Sequence, residues 1–116
     1  MAFRNISKSI GTSFTSVYIC PNNYEAVLHS LYISNTDASN DITVDVQLTT
    51  SKPGNPGVAG SYKIVSNIKI LAGTTLILDK PVNLRSTDEL KIQSSASTCD
   101  AVGSILLTNE DALAPN

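Results

Sequence analysis

The stretch "DITVDVQLTT", residues 41–50, alternates strictly between apolar and polar side chains. Ile42, Val44, Val46 and Leu48 point one way, and Thr43, Asp45, Gln47 and Thr49 point the other. A period of two is the signature of a β-strand with one buried face. No 3.6-residue apolar period persists over ten residues anywhere in the chain, so the fold is built from strands.

Other segments repeat the pattern. "SYKIVSNIKI" sets Tyr62, Ile64, Ile68 and Ile70 against Lys63, Asn67 and Lys69, with Val65 as an exception. "DELKIQSS" turns Leu90 and Ile92 inward and Lys91 and Gln93 outward. "DAVGSILLTN" sets Val102 and Leu106 against Ile105 and Leu107, and "TTLILD" is short and apolar on both faces. "SFTSVYIC" sets Phe14, Ser16 and Tyr18 against Val17 and Ile19. "AFRNISKSI" reads as a weaker strand anchored by Phe3 and Ile10. Turn residues separate these runs: Pro21-Asn22-Asn23, the 35–40 segment, Ala72-Gly73 and Ser86-Thr87-Asp88.

The expected fold is all-β: a single β-sandwich of about eight antiparallel strands, jelly-roll-like or immunoglobulin-like, over residues 1–116. "SKPGNPGVAG", residues 51–60, reads as an exposed loop between two hairpin strands, because Pro53 and Pro56 lack an amide donor. Loops of that length often carry function. Residues 109–116 read as a loose or partner-docked tail.

Composition excludes several classes of partner. The formal net charge is -2 and no two basic residues are adjacent, so there is no footprint for nucleic acid. No apolar run approaches the ~20 residues that span a bilayer. Charged residues are 16% of the chain, while Ser, Thr and Asn number 15, 11 and 10. Such a surface can pack against other copies without desolvating many charges.

Chemistry-bearing constellations are sparse. The chain has one histidine and two cysteines, too few and too dispersed for a zinc site. Cys20 and Cys99 read as reduced thiols, with a mutual disulfide as the alternative. "NTDASND", residues 35–41, holds Asp37, Asn40 and Asp41, and reads as a polar hairpin loop whose side chains cap their own backbone. Gly103 falls inside a strand pattern and marks a close backbone approach or a bulge. Asp88-Glu89 and Glu110-Asp111 are adjacent pairs, and neighbours on a strand face apart. No nucleotide-binding glycine motif occurs. Neither an enzyme, a cofactor nor a small-molecule substrate is expected.

His29 lies in "YEAVLHSLYIS", where Val27, Leu31 and Ile33 share its parity and Ala26, Leu28 and Tyr32 take the other. Both parities are mostly apolar, so this strand reads as central or pressed by another subunit. A lone histidine on an apolar face is more often a hydrogen-bonded structural residue than a ligand. His29 is therefore a candidate interface-facing residue.

Several ordered segments carry a resemblance. They are "MAF" at the start, "VYICP" (17–21), "EAVLHSLYISNTD" (25–37), "ITVDVQL" (42–48), "LAGTTLIL" (71–78), "PVNL" (81–84), "DELKIQSSAS" (88–97) and "AVGSILL" (101–107). In this order the chain resembles a family of small β-sandwich virion proteins of tailed bacteriophages, of the marine and cyanobacterial type. The loop at 51–60 is longer than that family leads one to expect.

The resemblance implies a structural component of a virion, made in the host cytoplasm and assembled into the particle. Its leading form is a capsid decoration or cement subunit that binds the major capsid protein and associates with itself, a trimer being favoured. A neck, baseplate or tail-fibre module is the alternative. A glycan-binding module is a further one, using Lys52, Pro53, Asn55 and Pro56 of the long loop or Asp37 and Asn40 of the shorter one.

Overall fold

The computed structural model describes residues 2–51 and 58–109. Nine strands follow in order: β1 (Ala2–Ile10), β2 (Thr15–Ile19), β3 (Tyr24–Asn35), β4 (Ile42–Thr50), β5 (Gly60–Ile70), β6 (Thr75–Leu78), β7 (Val82–Leu84), β8 (Glu89–Ser94) and β9 (Cys99–Asn109). They form two antiparallel sheets. One has the order β1-β9-β3-β6, with β7 also paired to β3, and the other has the order β2-β8-β4-β5. The β-sandwich expected from the alternation is what the chain forms.

The connections specify which sandwich it is. The chain crosses to the opposite sheet at every step except the β4–β5 hairpin and the β6–β7 link. β6 and β7 pair with successive stretches of β3, so they are two halves of one edge strand. Asp79, Lys80 and Pro81 separate the halves, and Pro81 has no amide to donate. Counted so, eight strands in two four-stranded layers give the jelly-roll order.

The core lies between the sheets. Leu31, Ile33, Val44, Val46, Leu90, Ile92 and Ile105 are fully buried. Each such side chain contributes ~1.5–3 kcal/mol by leaving water. The inward residues of β4, β8 and β9 are those their alternation assigns.

Four strands depart from their sequence pattern, and each departure is a bulge or an edge effect. In β5, Val65 and Ile70 are buried, while Tyr62, Ile64 and Ile68 are exposed. The register with β4 shifts on both sides of Val46. Asn67 takes the left-handed conformation, φ 53°, and its amide donates to the Asp45 carboxylate at 2.7 Å. One extra residue between Ile68 and Val65 flips the parity, so Val65 sits opposite Val46, and a second between Val65 and Lys63 flips it back, so Tyr62 sits opposite Leu48.

β3 is interrupted in the same way. Ala26 and Leu28 are buried, then Leu31, Ile33 and Asn35. Leu28 pairs with Ile105 and Ser30 with Ser104, so His29 is the unpaired residue of a bulge. The strand has one buried face, and it looked two-sided because the bulge shifts its phase. β1 is regular, yet its anchors are Ile6 and Ile10, and Phe3 is 70% exposed. β2 begins after Phe14 and carries a bulge at Val17.

Candidate functional site

The sites proposed from sequence fall in different places. Lys52, Pro53, Asn55 and Pro56 lie outside the described residues, as does the tail beyond Asn109. Asp37 and Asn40 lie in the β3–β4 connection, which crosses between the sheets and is therefore not a hairpin loop.

That connection satisfies itself. Asp37 Oδ1 accepts the amides of Ser39 at 2.8 Å and Asn40 at 3.1 Å, and its Oδ2 accepts from the Asn40 side chain at 3.2 Å. The Ser39 amide, then the Asn40 side chain and amide, hold the Asp37 carboxyl below its ordinary range. Buried Asn35 anchors the loop from beneath. Its Nδ2 donates to the carbonyls of Asn40 at 2.7 Å and Ile70 at 3.1 Å, and its Oδ1 accepts from the Asp37 amide and the Thr98 hydroxyl. Among the described residues, no three His, Cys, Asp or Glu side chains are grouped to hold a metal ion.

The cysteines are both buried, and neither is in a disulfide. Cys20 Sγ lies 3.4 Å from the Tyr24 carbonyl at the start of β3, whereas Cys99 pairs with Asn35 at its end. The two positions are ~33 Å apart along the strand, which no disulfide spans. Burial pushes the Cys99 thiol up.

The outer face of the five-stranded sheet exposes apolar side chains in an ordered array. Strand pairing arranges this face in rows that run across the strands. Ser9, Asp100, Ser34 and Thr75 form the first, and Ser7, Val102, Tyr32 and Ile77 the second. Asn5, Ser104 and Ser30 form the third, and Phe3, Leu106, Val27 and Asn83 the fourth. Thr108 and Glu25 close the series. Val102, Tyr32 and Ile77 are 50%, 44% and 53% exposed. His29 joins the fourth row, its ring 6.0 Å from that of Phe3. By register the face carries two acids, Asp100 and Glu25, and His29 joins them; among the described residues it carries no lysine or arginine.

The opposite outer face differs. Lys63 pairs with Asp45 at 3.4 Å and Lys91 with Glu89 at 3.6 Å, so these two lysines are answered by acids within the sheet. Between the sheets, the side bounded by β5 and β6 opens into a groove of about 170 Å³ lined by Leu28, Val46, Ile64, Leu78 and Val82. Its apolar walls are the unclosed margin of the core.

Sequence reasoning read the strand of His29 as central or pressed by another subunit, with His29 a candidate interface-facing residue, and missed the rows. The signal was present in "AVGSILL", where Val102 and Leu106 are apolar on the parity opposite to Ile105. A strand with one dry face leaves such residues outside.

Comparison with known proteins gives a likeness of fold. No family model matches the chain, and no curated protein matches it. Among solved structures, it is similar to a chain in the crystal structure of the T13 IBDV viral particle, described as revealing a missing link in the evolution of icosahedral viruses. The TM-score is 0.54 at 12% identity, over 93% of this chain and 31% of that one. This chain thus spans about a third of that chain's length, and what the two share is the β-sandwich.

Proposed function

We propose that this chain is a non-enzymatic structural component of a virion, most specifically a decoration or cement subunit on a tailed-phage capsid. The observation that carries the reading is the likeness over 93% of the chain to a chain of an icosahedral particle. The ordered motifs from "VYICP" to "AVGSILL" support it, as does a surface organised around one broad, lightly charged sheet face.

The partners in this reading are the major capsid protein and further copies of the chain. The loop residues Asp37 and Asn40, with Lys52, Pro53, Asn55 and Pro56, are secondary contact candidates. The test is direct. Purified protein is mixed with mature heads lacking it, and the bound amount is measured against the major capsid protein. A fixed, saturable ratio supports decoration. Labelled protein found only at necks or tails overturns it in favour of a tail-associated module. A glycan-array signal abolished by deleting residues 51–60 would favour host attachment instead.

A further inference from the structure

We propose that two copies of this chain pair face to face through the outer surface of the five-stranded sheet, about a two-fold axis along the row Asn5–Ser104–Ser30. Such an axis lies across the strands, so each strand sits over its own counterpart with its direction reversed. The third row then faces itself, the second row faces the fourth, and the first faces Thr108 and Glu25.

The chemistry of the rows fits this operation. Val102 lies over Leu106 of the other copy, and Tyr32 lies over Val27 and the bulged His29. Along β9 and β3 apolar side chains therefore meet apolar ones on both sides of the axis, while on the flanking strands Phe3 lies over Ser7 and Ile77 over Asn83. Asn5, Ser104 and Ser30 meet their own copies, where hydroxyl and amide groups donate and accept reciprocally. Asp100 faces Thr108, and Glu25 faces Ser34, so neither acid meets an acid. Residue i contacts residue j and j contacts i, as an isologous interface requires.

The area is sufficient. β1, β9 and β3 supply 9, 11 and 12 residues, and β6 and β7 add 4 and 3. At ~3.3 Å by ~4.8 Å per residue the face is ~600 Å² per copy, or ~1,200 Å² in all, at the lower end of stable interfaces. Packed sheets cross at about 30°, so the register is closest near the axis, where Ser104 lies.

The sheet edges are less suited to pairing. β5 is twice bulged and carries Lys63 and Lys69. β1 is regular, but its register sends Arg4 and Lys8 toward the core side, a placement that blunts an edge strand. The row order favours this two-fold pair over the trimer expected from sequence. The pairing stands apart from the virion reading, since a chain absent from every particle would still form it.

The test uses the full chain. Sedimentation equilibrium at ~100 μM should show a dimer, and Tyr32→Arg at the same concentration should be monomeric with an unchanged circular dichroism spectrum. Ser104→Cys gives an accessible thiol beside two buried native ones, and a bismaleimide reaching ~10 Å should join two copies of it. Thr49→Cys, on the other sheet, should stay uncoupled. A wild-type monomer at that concentration, an oligomer that survives Tyr32→Arg, or Thr49→Cys coupling as readily as Ser104→Cys would overturn the proposal.

Discussion

The rings of His29 and Phe3 lie 6.0 Å apart and tilted by 42°, although their strands are separated by β9. Phe3 stands on the edge strand β1, and His29 is pushed outward by the bulge in β3. The two rings meet above β9 on the outer face. A tilted pair of this kind contributes ~0.5–1.5 kcal/mol beyond its buried area, and less where water reaches it. His29→Ala should therefore change the urea midpoint by no more than ~1 kcal/mol equivalent while weakening self-association. A loss of several kcal/mol with self-association intact would assign His29 to the fold instead.

Gly103 is sterically required. A Cβ built there would meet Ile6 Cγ1 at 2.9 Å and the Ser30 carbonyl oxygen at 3.0 Å. β9 is held between β1 and β3 at this point, so the backbone has little room to yield. Gly103→Ala should cost ~1–3 kcal/mol in chemical denaturation, as overpacked cores do. A neutral effect would show that β1 can move away.

Asn35 is the polar keystone of one end of the sandwich. It is 2% exposed, and its side chain bonds to four partners drawn from the β3–β4 loop, the end of β5 and the β8–β9 loop. Asn35→Ala strands the buried Ile70 carbonyl and frees the loop. The expected loss is about 3 kcal/mol, measured by equilibrium unfolding. Asn35→Asp should not restore it, because a carboxylate cannot donate to the two carbonyls.

Asp37 makes a pH-dependent contribution with a fixed sign. Its folded-state carboxyl lies below the unfolded value, because the charged form accepts hydrogen bonds from Ser39 and Asn40. That stability is present above the unfolded value, ~3.9, and is lost as pH falls through the folded one. Asp37→Asn should thus melt below wild type at neutral pH, and the gap should close as the solution is acidified past that window. A gap independent of pH would mean that the carboxylate charge contributes nothing there.

The buried thiols predict a chemical outcome. Cys20 and Cys99 are each 1% exposed, and burial disfavours the Cys99 thiolate. Neither should react with an aromatic disulfide reagent in the folded protein, and both should react in denaturant. Rapid labelling of the native chain would contradict this packing.

Much of the fold was legible in the sequence because alternation reports directly on one-sided burial. β4, β8 and β9 follow their parity without error. The failures sit at bulges, where a single extra residue moves every later side chain to the other face. His29, Ile64 and Asn67 are such residues. Nothing in their types announces a bulge, apart from an asparagine tolerant of positive φ. The jelly-roll order depends on which strands pair over long separations, such as β1 with β9, and local patterning does not encode that. The outer rows were hidden for the same reason, since Val102, Tyr32 and Ile77 become neighbours only through the pairing.

The most direct test of the account is a density map of the intact particle, with its composition measured by mass spectrometry. This chain is expected in fixed ratio to the major capsid protein, as a β-sandwich seated on the head surface. Purified, infectious particles that contain no copy of the chain would contradict it.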